Sequence, residues 1–361
     1  MAIRLKLFNI VWMFFWIPAL LTGPATGEAQ VYRWKDAQGV LHFSDTPPAE
    51  EGIAATLDGE TELPPPQTAA AVSGGEAQPQ SSKTALSGLT AGPFVRGVLW
   101  AATHPGGQVS YILGTIHSDD PRVLDLPPAV TAALEKSDTF MMEVLMTPQA
   151  IFKMAQRMML TGAEDLENVL GTPLFDRAVR AMEAKGLPSM AARKLKPWVV
   201  AMMLSIPATQ TGRFLDLELH RRAVAAGKTV HGLESVDEQM DVFDQLSMEE
   251  QVAYLRETLD LLPHMPGMFA GMLSRYLDGD LQGLARIVEA SMESSKTMAA
   301  DQLMERLNDN RNRLMVTRMA PHLRTGGAFV AVGALHLAGE QGILNLLHQQ
   351  GYGLAAVDGR L

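Results

Sequence analysis

Two Gly-x-x-His tetrads, each closing an apolar run, constrain this chain more than any other feature. The first is Gly114-Thr115-Ile116-His117, after Val109, Tyr111, Ile112 and Leu113. The second is Gly333-Ala334-Leu335-His336, after Phe329, Val330, Ala331 and Val332. Both runs are rich in β-branched or aromatic residues and are entered from glycine pairs, Gly106-Gly107 and Gly326-Gly327, so each predicts a short buried strand. A histidine set twice where a strand gives way to a loop predicts two halves of one site, because α/β proteins place ligands and metals at strand ends. Glycine ahead of the loop permits a tight turn and lets the imidazole point into a cleft.

The segments after the tetrads match in order. The first is followed by a helix from Pro127 or Pro128 to about Lys136 and a strand over Thr139–Val144. After the second come an amphipathic helix over Gly339–Gln350, with Ile343, Leu344, Leu346 and Leu347 inward, and a strand over Tyr352–Val357. A hairpin precedes the first tetrad, with strands over Val95–Ala102 and Gln108–Gly114. Between the two units, Pro148 to Leu323 is helical, broken by one strand-like segment, Lys228–Glu234. The methionines there serve as flexible core filling. The expectation is an α+β fold: two pseudo-repeated strand–Gly-x-x-His–helix–strand units around a central sheet, a long helical insert, and a small N-terminal β-hairpin module.

At 361 residues the chain holds one large domain and smaller pieces. Its lack of cysteine removes disulfides, thiolate metal sites and cysteine nucleophiles, so a metal must bind through His, Asp or Glu, with help from Asn. A net charge of −10 and scattered basic residues argue against nucleic acid as a partner. His-Glu-x-x-His, Gly-x-Ser-x-Gly and phosphate-binding glycine loops are all missing.

Residues 1–29 have the order of a secretory signal peptide: Arg4 and Lys6, an apolar run through Leu21, then small residues to a cleavage point after Ala29. The run falls short of the ~20 residues of a membrane span, and an uncleaved anchor is the alternative. This predicts a periplasmic or secreted protein. Residues 30–48 predict a β-hairpin turning at Asp36–Gly39, and residues 49–93, with Pro64-Pro65-Pro66, a flexible linker. The string YRWKDAQGVLHFSDTPP resembles a small domain of unknown function found behind signal peptides in many proteobacterial envelope proteins. Tyr32, Trp34 and Phe43 would be its face toward an envelope partner. The main domain is expected over residues 94–361.

Glu143 lies in an apolar strand between Met142 and Val144, where a carboxylate is costly unless paired or bound to a metal; a solvent-facing edge is the alternative. Glu234 ends the Val230–Leu233 run and reaches a cleft in the same way. Asp216, in a helix within Phe214–Leu219, reads equally as a surface or first-turn acid. Arg311 shares a helix face with Met315 and points inward to hold a carboxylate or stabilise developing negative charge, with a solvated face as the alternative. Two histidines with one or two carboxylates suit a hard or zinc-like ion with open positions for water.

The strings YILGTIHSDDPRVLDLPPAV, ALEKSDTFMMEV, FLDLELHRRAVAAGKTVHGLESVDEQ, NRNRLMVTRMAPHL and FVAVGALHLAGEQGILNLLHQQGY resemble the TraB/GumN family. That family is related to the TIKI metalloproteases and, more distantly, to the erythromycin esterase and ChaN-like haem-binding group. The resemblance implies an active-site set of both histidines, an early Glu, and an Arg or Asn on the late helix: here His117, His336, Glu143, and Arg311 with Asn312. One departure is Asn310, where an acid commonly precedes Arg-Asn. The TIKI branch implies manganese- or cobalt-dependent peptide cleavage, with zinc as the alternative ion. The expected protein is an exported metal-dependent hydrolase, a peptidase acting on a peptide or small protein. His117, His336 and Glu143 would bind the ion, with Asn312 as an additional ligand. Glu234 or Glu143 would be the general base, and Arg311 would stabilise the oxyanion. The alternative is a non-catalytic periplasmic protein that captures a peptide signal or a haem-like ligand in the same cleft.

Overall fold

The computed structural model describes residues 32–35, 41–44, 88–187, 189–207, 213–292 and 305–358. The chain divides into two compact units, residues 22–80 and the remainder. In the smaller unit β1 (Tyr32–Lys35) pairs antiparallel with β2 (Leu41–Ser44), Tyr32 opposite Ser44 and Lys35 opposite Leu41. The expected signal segment and most of the expected linker lie outside the described residues. No described helix is long and apolar enough to cross a membrane.

In the larger unit β3 (Leu99–Thr103) and β4 (Val109–Thr115) form the opening hairpin. β5 (Thr139–Val144), β6 (Thr229–Glu234), β7 (Ala328–Gly333) and β8 (Gly353–Asp358) follow. Among the described residues these make one six-stranded sheet in the order β6-β5-β7-β4-β3-β8. β6, β5, β7 and β4 are parallel neighbours, and β3 is antiparallel to both β4 and β8. The two tetrad-bearing strands, β4 and β7, therefore lie side by side, Gly114 opposite Val332 and Thr115 opposite Gly333.

Every residue of β7 is buried, which is why its sequence is a continuous apolar run rather than an alternating one. Phe329 of β7 stacks on Phe140 of β5 with ring centroids 6.1 Å apart, a pairing that contributes ~0.5–1.5 kcal/mol beyond its buried area.

Helices α1 (Pro121–Leu124) and α2 (Pro128–Glu135) connect β4 to β5. Between β5 and β6 come α3 (Pro148–Met158), α4 (Leu166–Leu170), α5 (Thr172–Ala184), α6 (Pro197–Ser205) and α7 (Leu215–Ala225). Between β6 and β7 come α8 (Val236–Asp244), α9 (Met248–Leu261), α10 (Met265–Leu277), α11 (Leu281–Met292) and α12 (Asn310–Thr325). α13 (Ile343–Gln349) links β7 to β8. Capping boxes at Ser235/Glu238 and Ser247/Glu250 fix the starts of α8 and α9. α6 is buried at every position and packs on α9, and Trp198 stacks on Phe243 at 5.3 Å. Met154, Met182, Met272, Met315 and Met319 are all buried, in keeping with core filling.

Three boundaries differ from expectation. Gly97, at φ 105°, turns the chain so that Arg96 bridges Asp280, and the first strand starts at Leu99 instead of Val95. Residues 88–93, expected to end the linker, belong to the folded body: Leu89 is buried, and the Gly88 carbonyl accepts from the Glu340 amide at 2.8 Å. That contact needs Gly339 at φ 88°, where a Cβ would meet the Gly88 oxygen at 2.6 Å, so the last helix starts at Ile343 rather than Gly339. The late helix is α12, entered through a π turn at Glu305–Asp309, and residues 293–304 before it lie outside the described set. The paired units share element order but not reach. The connection β4 to β5 passes β7, whereas β7 to β8 passes β4 and β3 to the far edge.

Candidate active site

Four parallel strands end at one edge of the sheet, bringing Glu234 of β6, Glu143 of β5, Gly333 of β7 and Thr115 of β4 together. Ligand sites of α/β sheets form outside such carboxyl ends. Close approach of the tetrads depends on Gly114, where a Cβ would lie 2.8 Å from Leu337 Cδ1 and 2.9 Å from Ala334 Cα.

His117 follows β4 by two residues and is 8% exposed. Its Nε2 lies 3.5 Å from Asp216 Oδ2, and Phe214 flanks the ring at 5.9 Å between centroids. Asp216, in the first turn of α7, is buried; its Oδ1 accepts from Thr115 Oγ1 at 2.6 Å, while Oδ2 accepts no hydrogen bond among the described residues.

His336 is fully buried and ends a 3₁₀ turn, Ala334–His336, in place of the loop expected there. Asn312 Nδ2 donates to the Gln341 carbonyl at 2.8 Å, which turns its Oδ1 toward His336 Nδ1 at 2.6 Å. An amide oxygen only accepts, so Nδ1 carries the proton and Nε2 keeps its lone pair. Burial, and then the charge of Arg311, holds this imidazole well below its ordinary pKa. Asn312 orients the histidine through this oxygen.

Beside it is a buried acid–base set, so the solvated alternatives for Glu143 and Arg311 are not realised. Arg311 donates through Nε and Nη2 to Glu234 at 2.8 and 2.6 Å, through Nη2 to Glu143 Oε2 at 2.7 Å, and through Nη1 to the Leu307 carbonyl at 3.2 Å. Gly333 N donates to Glu143 Oε1 at 2.7 Å, and Gln239 of α8 reaches Glu143 and Glu234 at 3.4 and 3.2 Å. Glu143 Oε1 is 3.7 Å from His336 Nε2. One guanidinium thus faces two carboxylates, and Glu234 takes the fork while Glu143 shares a single nitrogen. Burial raises the Glu143 pKa, Arg311 lowers it and Glu234 raises it again, leaving it at about 7. For Arg311, burial opposes the charge, but Glu234 and Glu143 more than offset it and hold its pKa above the ordinary range.

Among the described residues, no three His, Asp or Glu side chains form a closed metal-ligand group. The donor chemistry nevertheless fits an ion. His336 is in the tautomer a ligand requires, its other ring nitrogen held by a carbonyl as in metal sites. His117 Nε2 and Asp216 Oδ2, 3.5 Å apart, have the spacing of two ligands that each lie ~2.1 Å from one ion.

All of the expected site residues gather at this edge. Thr115 and Gln239 were not expected there, and Asp216 was left open. The available signals were a hydroxyl inside the first tetrad and an acid flanked by Leu215 and Leu217.

The chain belongs to the TraB/PrgY/gumN family, whose model matches residues 98–355. A second model, for a domain of unknown function (DUF4124), matches residues 19–73. The chain is 26% identical over 310 residues to the metalloprotease TIKI2 of Danio rerio, covering 70% of this chain and 60% of that protein. It is 25% identical over 298 residues to the metalloprotease TIKI1 of Homo sapiens, covering 67% and 59%. With the metalloprotease TIKI homolog of Amphimedon queenslandica it shares 24% identity over 296 residues, covering 67% and 58%. The chain thus spans about three fifths of the length of these curated relatives. No solved structure matches it at a significant level.

Proposed function

We propose that this chain is an exported metal-dependent peptidase acting on a peptide or small protein. The observation that carries the reading is His336, fixed by Asn312 at Nδ1 with its Nε2 3.7 Å from the buried carboxyl of Glu143. The names of its TIKI relatives support the same chemistry.

When bound, a divalent ion, manganese or cobalt with zinc as the alternative, would supply Lewis acidity toward a carbonyl and lower the pKa of water. His117 and His336 would hold it. Glu143 takes the proton of the attacking water and returns it to the leaving amine, a role suited to a group titrating near the working pH. Arg311 spends its nitrogens on Glu143 and Glu234, so its contribution is to hold the base in place rather than to meet the oxyanion.

Calorimetric titration of manganese and cobalt into the metal-stripped full chain tests this reading. His117→Ala and His336→Ala are each expected to weaken binding by more than ~100-fold and to abolish metal-dependent cleavage of a peptide library, exceeding the 10–100-fold loss typical of an outer partner. Full cleavage by His117→Ala would overturn the assignment. Export rests on the charged, apolar, small-residue order of residues 1–29. Mass spectrometry of protein recovered from the periplasm is expected to find Gln30 first, and an intact N terminus in the cytoplasm would refute export.

A further inference from the structure

We infer that Asp216, not Glu143, is the carboxylate that joins His117 in binding the ion, with Thr115 as the residue that aims it. The inference rests on the metal-dependent reading above and names the acidic ligand.

Three observations separate the two acids. Glu143 has both oxygens engaged: Oε1 accepts from the Gly333 amide, and Oε2 accepts from Arg311 and Gln239. It also shares the positive charge of Arg311, which repels a cation at the same carboxyl. Asp216 is buried just as deeply and has one committed oxygen, Oδ1, on the Thr115 hydroxyl. Its Oδ2 is buried, accepts no hydrogen bond among the described residues and lies 3.5 Å from His117 Nε2. A bare buried carboxylate oxygen carries a desolvation penalty, and a cation offsets it directly.

The sequence ties the parts together. Thr115 ends β4 and His117 follows two residues later, so one strand end supplies both the imidazole and the hydroxyl that orients its acidic partner. Ligating carboxylates are characteristically fixed in this way by an outer hydrogen bond. With Asp216 on the ion, Glu143 stays free to move protons.

The test is binding of Mn²⁺ and Co²⁺ to the metal-stripped full chain, read by calorimetry and, for Co²⁺, by the visible absorption of the bound ion. Asp216→Asn preserves volume and the acceptor for Thr115 while removing the charge, and it should weaken both ions by more than ~100-fold and change the Co²⁺ spectrum. Thr115→Val leaves the carboxylate in place but unaimed, and should weaken them by ~10–100-fold. Glu143→Gln should bind within a few-fold of wild type. Circular dichroism confirms the fold of each variant, and if Asp216→Asn does not fold, Thr115→Val carries the test. Near-wild-type binding by Asp216→Asn, or by Thr115→Val where it stands in, or loss of binding in Glu143→Gln, overturns the assignment. Wild-type protein that binds neither ion removes the metal reading and this one with it. Asp216-dependent binding without peptide cleavage removes the peptidase reading alone.

Discussion

Arg311→Met is expected to destabilise the protein by about 3–5 kcal/mol near neutral pH, because the substitution strands two buried carboxylates without their cation. Glu143 and Glu234 then repel each other in a site with almost no water contact, which favours the protonated form of Glu143 further. Stability of the variant should recover as the pH is lowered and the acids become neutral, and Arg311→Met combined with Glu234→Gln should regain part of the loss. Urea unfolding at several pH values reads this directly. An unchanged midpoint at pH 7 would show that the guanidinium does not balance these acids.

Glu143→Gln is expected to reduce kcat by about 10²–10⁴-fold with little change in KM, the range for loss of a positioned proton-transfer group. The same variant carries a second signature in the metal-stripped protein. Glu143 holds its proton to about pH 7 in the fold, against an ordinary value of 4.5. Its folded pKa is raised, so the stability gained from this protonation is full below about pH 4.5 and is lost as the pH rises through about 7. Glutamine has no proton to lose, and the slope of stability against pH across that window should flatten. A slope equal to that of wild type would move the titration to another group.

Much of this site was legible before any fold was known, and the parts that were not share a cause. Glu143 stood out because a carboxylate within Met141–Val144 needs a partner. That partner, Arg311, lies 168 residues away, and no local pattern joins the two. The strands bearing the tetrads followed from apolar runs bounded by glycines, but their parallel pairing is a property of sheet order. Asp216 was ambiguous for a physical reason: acids are favoured in the first turn of any helix. Glu218, two residues on, illustrates the other outcome; it binds Arg221, Arg222 and Arg213, which hold its pKa near 2. Tertiary packing alone distinguishes the two.

The position of β7 has a consequence for how the molecule comes into being. This strand sits between β5 and β4, yet it leaves the ribosome after nearly all the rest of the domain. Until it arrives, β4 and β5 present open edges to each other and to neighbouring chains, and the sheet waits on a contact of long sequence separation. The second histidine travels with that strand. A nascent or truncated chain therefore holds half a site, and the finished arrangement appears only when the last central strand slots home.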